Sequence, residues 1–261
     1  MSALASDDYL EFCHGLRKLC GVDLTQYKRA QMERRLRTYF AREGCTRLSD
    51  CLQGLRADPR ALEAVLDRIT INVSQLWRNP EQWTLLERQI VPELGASGRL
   101  RAWSAGCSYG AEAYTLAAVC ASAIPAAEVR IVGTDIDRRM VARAKHGRFS
   151  DDDARSAPAS ALERWFERCD GGWQARQELR DATHFEVGDL LRVQPSANCF
   201  DLILCRNTVI YFAEPIRDEL HSRLAHALRP GGVFVVGATE RVAKPAALGL
   251  RSIHPFTYMK A

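Results

Sequence analysis

The chain has 261 residues, of which 47% are hydrophobic, enough for one large globular domain or two small ones. Its formal net charge of +4 is too small to indicate a nucleic-acid-binding protein by itself. No apolar run reaches about 18 residues, so no transmembrane helix is predicted, and the first residues lack the features of a secretory signal. We therefore expect a cytoplasmic protein that does not insert into the membrane.

The nine cysteines are scattered through the chain. None forms a Cys-x-x-Cys pair, and no group of cysteines and histidines has the spacing of a zinc site. We therefore expect reduced thiols, most of them buried, and no bound metal.

Residues 1–92 are predicted to form a helical domain. Apolar residues recur every three or four positions within 9–19, 32–40 and 62–69, and Pro59 suits the first turn of a helix. The following segment 90–98, IVPELGASG, has the composition of a linker.

Residues 93–261 alternate between strand-like and helix-like segments. The predicted strands cover 100–104, 129–133, 200–205, 233–237 and 256–259, and the predicted helices cover 113–123, 138–144 and 215–228. This alternation predicts a doubly wound α/β domain, with a mostly parallel sheet and helices on both faces. The polar stretch 147–185 interrupts the alternation and is predicted to be an inserted helix and β-hairpin subdomain.

A glycine-rich loop follows the first predicted strand, at the edge of the sheet where such domains bind ligands. The segment 104–112, SAGCSYGAE, lets a ligand approach the backbone, although a plain tight turn is an equally good interpretation. Its glycine spacing differs from the dinucleotide motif, and the loop has no phosphate-binding lysine or arginine. These features favour a nucleoside that carries an amino acid over a dinucleotide or a triphosphate.

Three acidic residues follow other strand-like segments: Asp135 and Asp137 after 129–133, and Asp189 after 183–187. Asp135 can accept hydrogen bonds from both ribose hydroxyls of a nucleoside, whereas Asp137 is expected to cap the next helix. Asp189 can accept from an adenine amino group, with the Leu190 backbone N–H donating to the ring; the alternative is a common structural turn. The three signals occur in the right order in one sheet, which makes them more specific together than alone.

Two further segments have no generic explanation: 72–80, NVSQLWRNP, and 204–212, LCRNTVIYF. Together with 104–108 and 134–137 they resemble motifs of the CheR family of chemoreceptor glutamate methyltransferases, and the resemblance extends from about residue 10 to the end. It implies a helical domain, a class I methyltransferase domain and a small β-subdomain. The implied activity transfers a methyl group from S-adenosylmethionine to receptor glutamates, giving γ-glutamyl methyl esters and S-adenosylhomocysteine.

The resemblance also implies site residues. Arg78 and Tyr211 are the candidates for orienting the reacting groups, although Arg78 can instead hold the cofactor's own carboxylate. Glu112 is the remaining acid for the methionine amino group, Arg206 can alternatively be a packing ion pair, and Tyr109 stands where the family pattern has threonine. The predicted cofactor-binding residues are Asn72, Ser74, Arg78, Gly106, Glu112, Asp135, Asp189, Leu190, Arg206, Asn207 and Thr208.

Two other function classes fit the sequence less well. A non-catalytic S-adenosylmethionine sensor is disfavoured because the candidate residues, among them Asn72, Asn207 and Tyr211, are all present. A methyltransferase acting on nucleic acid would predict an Asn-Pro-Pro-Tyr-like motif or a strongly basic groove, and the sequence shows neither.

The predicted helix 28–42 supplies the candidate partner surface. Its apolar residues fall on one side, and the only acids in the segment are Glu33 and Glu43, so the arginines are predicted to lack partners four residues away. A solvated face is the alternative; the resemblance assigns the helix to contact with the helical bundle of a chemoreceptor. The receptor-binding candidates are Arg34, Arg35 and Arg37. The short connection 167–173 resembles members that work without a C-terminal receptor tether, and we expect a monomer.

Overall fold

The computed structural model describes residues 7–70 and 74–261, so the predicted cofactor contact Asn72 lies outside the described residues. Backbone contacts divide the chain into two units: residues 1–71 with 211–217, and residues 72–210 with 218–261. This division falls earlier than the predicted boundary at residue 92. The reason is that Trp83, Ile90 and Leu94 are buried in the same core as the central strands.

The first unit is helical, as predicted. Its helices are α1 (Asp8–Cys20), α2 (Arg29–Arg42), α3 (Leu48–Ala57) and α4 (Pro59–Thr70), with a short 3₁₀ helix at Leu24–Gln26. Asp7 caps α1 by accepting the N–H groups of Tyr9 and Leu10. Phe12 on α1 and Phe40 on α2 are buried edge to face, with ring centroids 5.5 Å apart, and anchor the core of the unit.

A disulfide joins Cys45 and Cys51 across the connection between α2 and α3. The expectation of reduced thiols is therefore wrong for this pair, because the turn brings the two Cα atoms to 6.2 Å, within the range that a disulfide spans. The other cysteines of the chain are free thiols.

The second unit contains the predicted α/β domain. Its helices are α5 (Pro80–Leu85), α6 (Val91–Leu94), α7 (Ala111–Ala123), α8 (Arg138–His146), α9 (Ala159–Trp165), α10 (Gln177–Ala182) and α11 (Glu214–Ala227), the last of which begins in the first unit. Its strands are β1 (Arg99–Ala105), β2 (Glu128–Asp135), β3 (Arg148–Ser150), β4 (Phe166–Cys169), β5 (Gly172–Ala175), β6 (Thr183–Val187), β7 (Phe200–Cys205), β8 (Leu228–Val236), β9 (Leu250–His254) and β10 (Thr257–Lys260).

Within residues 74–261, seven strands form the main sheet in the order β6-β2-β1-β7-β8-β10-β9. The first five run parallel, and β10 runs antiparallel to both of its neighbours, β8 and β9, which confirms the predicted doubly wound, mostly parallel sheet. The strand order reverses between β1 and β7, since β2 and β6 lie on one side of β1 and β7 and β8 on the other. Ligands of such sheets bind at this reversal, beyond the carboxyl ends of the strands.

The predicted linker 90–98 is helical as far as Leu94. A π-helical turn at Leu86–Ile90 joins α5 to α6, and the N–H of Val91 bonds the carbonyl of Leu86. Pro92, which has no N–H to donate, is accommodated directly after this turn. Leu86, Ile90 and Leu94 are buried in the core, and this packing stabilises a helix where the Gly/Pro/Ser composition predicted a linker.

The insertion forms a small antiparallel sheet in the order β3-β5-β4, within the described range 74–261. The predicted hairpin is β4 and β5, which turn at Gly171 with φ +79°. Strand β3 was not predicted, and it packs so closely that a Cβ at Gly172 would lie 2.1 Å from the carbonyl oxygen of Phe149. Among the described residues, no helix is long and apolar enough to cross a membrane.

Candidate cofactor site

The glycine-rich loop joins β1 to α7 at the carboxyl edge of the sheet. Gly106 has φ +85°, and a Cβ there would lie 2.5 Å from Thr208 Oγ1, so both its conformation and its neighbour require glycine. The N–H of Gly106 donates to the Thr134 carbonyl at 2.9 Å. The loop is therefore held between the end of β2 and the segment that follows β7.

Asp135 is buried at the end of β2, next to this loop. Its two oxygens accept the N–H groups of Ser108 (2.7 Å) and Asp137 (2.9 Å). Burial raises the pKa of Asp135, while these hydrogen bonds act in the opposite direction. A carboxylate has about four acceptor positions, so a fixed Asp135 can still accept ribose hydroxyls. Asp137 caps α8 through the N–H groups of Arg139 and Met140, which confirms its predicted role.

A buried ion pair between Arg206 and Glu112 lies behind the loops. Arg206 Nη1 is 3.3 Å from Glu112 Oε2, and Ser104 Oγ donates to the other carboxylate oxygen at 2.8 Å. Burial raises the pKa of Glu112, and the charge of Arg206 opposes that rise. Arg206 also lies over the Trp83 ring and donates to Gln82 Oε1 at 2.7 Å. The guanidinium therefore links α5, α7 and the end of β7.

The segment 74–79 is attached to this core at both ends. Arg206 Nη2 and Trp83 Nε1 donate to the carbonyl of Arg78, at 2.7 and 2.9 Å. At the other end the Tyr109 hydroxyl contacts the carbonyl of Ser74. The backbone positions of Ser74 and Arg78, both predicted site residues, are therefore set by side chains from other parts of the α/β unit.

Glu240, which the sequence analysis missed, holds the segment after β7. Its buried Oε2 accepts the N–H groups of Asn207 and Gly237, each at 2.7 Å. Burial raises the pKa of Glu240, although these backbone donors lower it. A Cβ at Gly237 would lie 2.6 Å from Glu240 Oε2, so this close contact requires glycine. The glycine followed three residues later by a glutamate, directly after β8, was the sequence signal that could have identified Glu240.

Backbone strain is concentrated in these segments. In the parts of the chain that the structure describes, six non-glycine residues have positive φ, and four of them belong to the candidate site: Trp77, Asn79, Ser108 and Asn207. Such conformations cost about 1–3 kcal/mol each and persist where the surroundings impose them, commonly at ligand sites.

The turn after β6 lies beside Asp135, because the N–H of Gly188 donates to the Asp135 carbonyl at 2.9 Å. Asp189 Oδ1 accepts the N–H of Leu191 at 2.9 Å, and Arg192 pairs with the same carboxylate at 3.3 Å. The alternative of a structural turn is therefore realised, and the adenine contact of Asp189 and Leu190 stays a prediction.

In the helical unit, the arginines of α2 were expected to lack acidic partners, but Arg37 has two. It pairs with Glu33 at 2.7 Å and with Asp8 at 3.2 Å, and Glu33 also bonds Arg29. A cavity of about 310 Å³ opens on the same helix. The cavity, here named the arginine face, is lined by Gln31, Arg34, Arg35, Thr38, Tyr39, Arg42 and Arg68.

Comparison with known proteins identifies the family. Residues 72–253 match the CheR methyltransferase SAM-binding domain, and residues 7–70 match the CheR methyltransferase all-alpha domain. The chain belongs to the CheR methyltransferase family. This CheR chain is 33% identical to a chemotaxis protein methyltransferase of Listeria innocua, covering 97% of each chain. It is 31% identical to chemotaxis protein methyltransferase 1 of Pseudomonas aeruginosa, covering 92% of each.

The family match confirms the resemblance seen in the sequence, and a SAM-binding domain contains most of the predicted site residues. At the carboxyl edge of its sheet the CheR chain brings together the loops that carry Ser74, Arg78, Gly106, Glu112, Asp135, Asp189, Leu190, Arg206, Asn207 and Thr208. Tyr211 groups with the helical unit, where the Arg35 guanidinium lies 5.8 Å from its ring centroid. Among the described residues, no cluster of metal-ligand side chains occurs.

Proposed function

We propose that this chain methylates glutamate side chains of a methyl-accepting chemoreceptor, producing γ-glutamyl methyl esters and S-adenosylhomocysteine and so adapting receptor signalling. The observation that carries the proposal is the buried Asp135 carboxylate, fixed by two backbone N–H groups beside the glycine loop, in a chain of the CheR family. The helical unit is proposed to dock the receptor, and the α/β unit, residues 72–210 with 218–261, to bind the cofactor for the transfer.

The donor set around Asp135 fits S-adenosylmethionine. Asp135 is proposed to accept the ribose hydroxyls, and the turn at Asp189 and Leu190 to contact the adenine. Gly106 lets Thr208, another predicted cofactor contact, pack directly against the loop backbone. The contacts of Arg206 with protein groups favour a supporting role, in which it holds Glu112 and the Arg78 carbonyl in place.

The proposed reaction requires little acid–base catalysis from the chain. S-adenosylmethionine supplies an activated methyl group when bound. A glutamate side chain, with a pKa of about 4.3 in free peptides, is already ionised at pH 7 and needs no general base. The residues must therefore align the carboxylate and remove its water. Arg78 and Tyr211 are proposed to orient the reacting groups, with the cofactor carboxylate as the alternative partner of Arg78.

The arginine face is the proposed receptor-docking surface. A chemoreceptor is proposed to present a glutamate-rich helical bundle in the cytoplasm, and four arginines offer it opposite charge at short range. Arg37 is better assigned to the internal ion pairs with Glu33 and Asp8, so the docking set becomes Arg34, Arg35, Arg42 and Arg68. The protein is proposed to act on this bundle as a monomer.

The test is methyl transfer from radiolabelled S-adenosylmethionine to receptor-containing membranes. We expect the receptor to become labelled and base treatment to release the label, because methyl esters hydrolyse in base and methyl amines do not. The Asp135→Ala variant should transfer far less label than the wild type. Cofactor binding without any transfer would instead show a sensor, and base-stable label would show a different acceptor group; both results contradict the proposal.

A further inference from the structure

We propose that Tyr109 is a positioning residue that fastens the segment 74–78 against the glycine loop and so sets the affinity of the cofactor site. This inference rests on the proposed function and on the prediction that Ser74 and Arg78 contact the cofactor. Tyr109 lies in the glycine loop and is buried.

The Tyr109 hydroxyl meets two acceptors. It contacts the carbonyl oxygen of Ser74 and lies 2.8 Å from Asp153 Oδ1, so its single hydrogen is shared between a segment of the site and the inserted subdomain. Burial raises the pKa of Tyr109, and the hydrogen bond to Asp153 raises it further. The hydroxyl therefore stays protonated and acts as a donor.

Asp153 is itself held from several sides. Its Oδ2 accepts Arg143 Nη2 at 2.7 Å and the N–H of Ser150 at 2.9 Å, and its carbonyl accepts the N–H of Leu76 at 2.9 Å. The Arg143 guanidinium also lies 3.8 Å from the centroid of the Tyr109 ring. Tyr109, Asp153 and Arg143, here named the tyrosine latch, therefore join the glycine loop, α8, the insertion and the segment 74–78.

The tyrosine latch holds the start of the segment 74–78, at Ser74, while other residues hold its end. The N–H of Trp77 donates to Thr115 Oγ1 at 3.1 Å, and Arg206 and Trp83 hold the Arg78 carbonyl. Without the Tyr109 hydroxyl, the Ser74 carbonyl loses its donor next to the loop. A hydroxyl attached at Cβ, as in threonine, would end well short of this position, so the connection depends on the length of the tyrosine side chain.

The test removes the hydroxyl and keeps the ring. The Tyr109→Phe variant retains the packing and the stacked Arg143, and we expect about tenfold weaker binding of S-adenosylhomocysteine by calorimetry, about 1.4 kcal/mol. KM for S-adenosylmethionine should rise similarly, with little change in KM for the receptor.

The matched control is Tyr114→Phe, since the buried Tyr114 hydroxyl donates to the Ala144 carbonyl at 3.0 Å outside the latch. Its affinity should equal that of the wild type.

Amide hydrogen exchange of 74–78 supplies a second readout that does not require the cofactor. The latch predicts faster exchange there in Tyr109→Phe and none of this acceleration in Tyr114→Phe. Unchanged exchange in Tyr109→Phe overturns the latch, as does unchanged affinity, or equal weakening by the control. A wild-type protein that fails to bind S-adenosylhomocysteine overturns the proposed function instead, and the exchange result still decides whether the latch exists.

Discussion

Replacing Arg206 by methionine tests the energetics of the site most strongly. Arg206 is 6% exposed, and its guanidinium pairs with the buried Glu112 and donates to Gln82 and to the Arg78 carbonyl. The substitution retains an apolar side chain beside Trp83 but leaves the Glu112 carboxylate buried without its cation. Breaking such a pair from one side costs about 3–5 kcal/mol, so we expect a loss of that size in the free energy of unfolding measured with urea.

The pH dependence of this loss has a predicted sign. Burial already raises the pKa of Glu112 against the opposing charge of Arg206, so the Arg206→Met variant raises it further. A carboxyl whose pKa is higher in the folded than in the unfolded protein favours folding at low pH, and this contribution is lost as pH rises through the folded pKa. The deficit of the variant should therefore be larger at about pH 8 than at about pH 5.

The control for this experiment is the double variant Arg206→Met with Glu112→Gln. It removes the stranded charge but keeps a side chain that can accept from Ser104, so it should recover part of the lost stability. A deficit of the single variant below about 1 kcal/mol, or one that does not change with pH, would refute the reasoning.

Four further outcomes are expected. Calorimetry of Asp135→Ala should show S-adenosylmethionine binding weakened at least tenfold, about 1.4 kcal/mol, and wild-type affinity would remove Asp135 from the site. Charge reversal of Arg34 and Arg42 should slow receptor methylation at low salt without changing cofactor affinity, whereas Arg56→Glu on α3 should not; equal rates would leave the arginine face a solvated surface. A peptide from a receptor C-terminus should not bind, and a micromolar complex in titration would contradict this. Asp8→Ala should lower thermal stability near neutral pH, because hydrogen bonds from Ser49 and Leu48 outweigh burial and lower the Asp8 pKa to about 2; the difference from wild type should shrink as pH falls from 3.8 towards that value.

The sequence predicted the sheet well because buried parallel strands are continuous apolar runs, such as 200–205. It missed β3 and β9, which are short and only partly buried and owe their conformation to pairing with β5 and β10. It also mistook the end of the helix at Val91–Leu94 for a linker, because composition does not reveal the burial that maintains the helix.

The motifs located the site, but they could not predict the contacts that build it. Glu240 bonds the N–H of Asn207, and Tyr109 reaches Ser74, across many residues of sequence that only the fold brings together. The expectation for Arg37 was wrong for a local reason. Glu33 lies one turn before Arg37 and one turn after Arg29, so a single carboxylate serves both arginines.

The chain is proposed to esterify receptor glutamates at the site around Asp135. Mass spectrometry of receptor peptides after reaction with S-adenosylmethionine tests it most directly, with Asp135→Ala as the control. The account predicts methyl groups on glutamate carboxyls of the receptor's cytoplasmic helices with the wild type, and almost none with the variant. Methyl groups on other residue types, or equal modification by the variant, would contradict it.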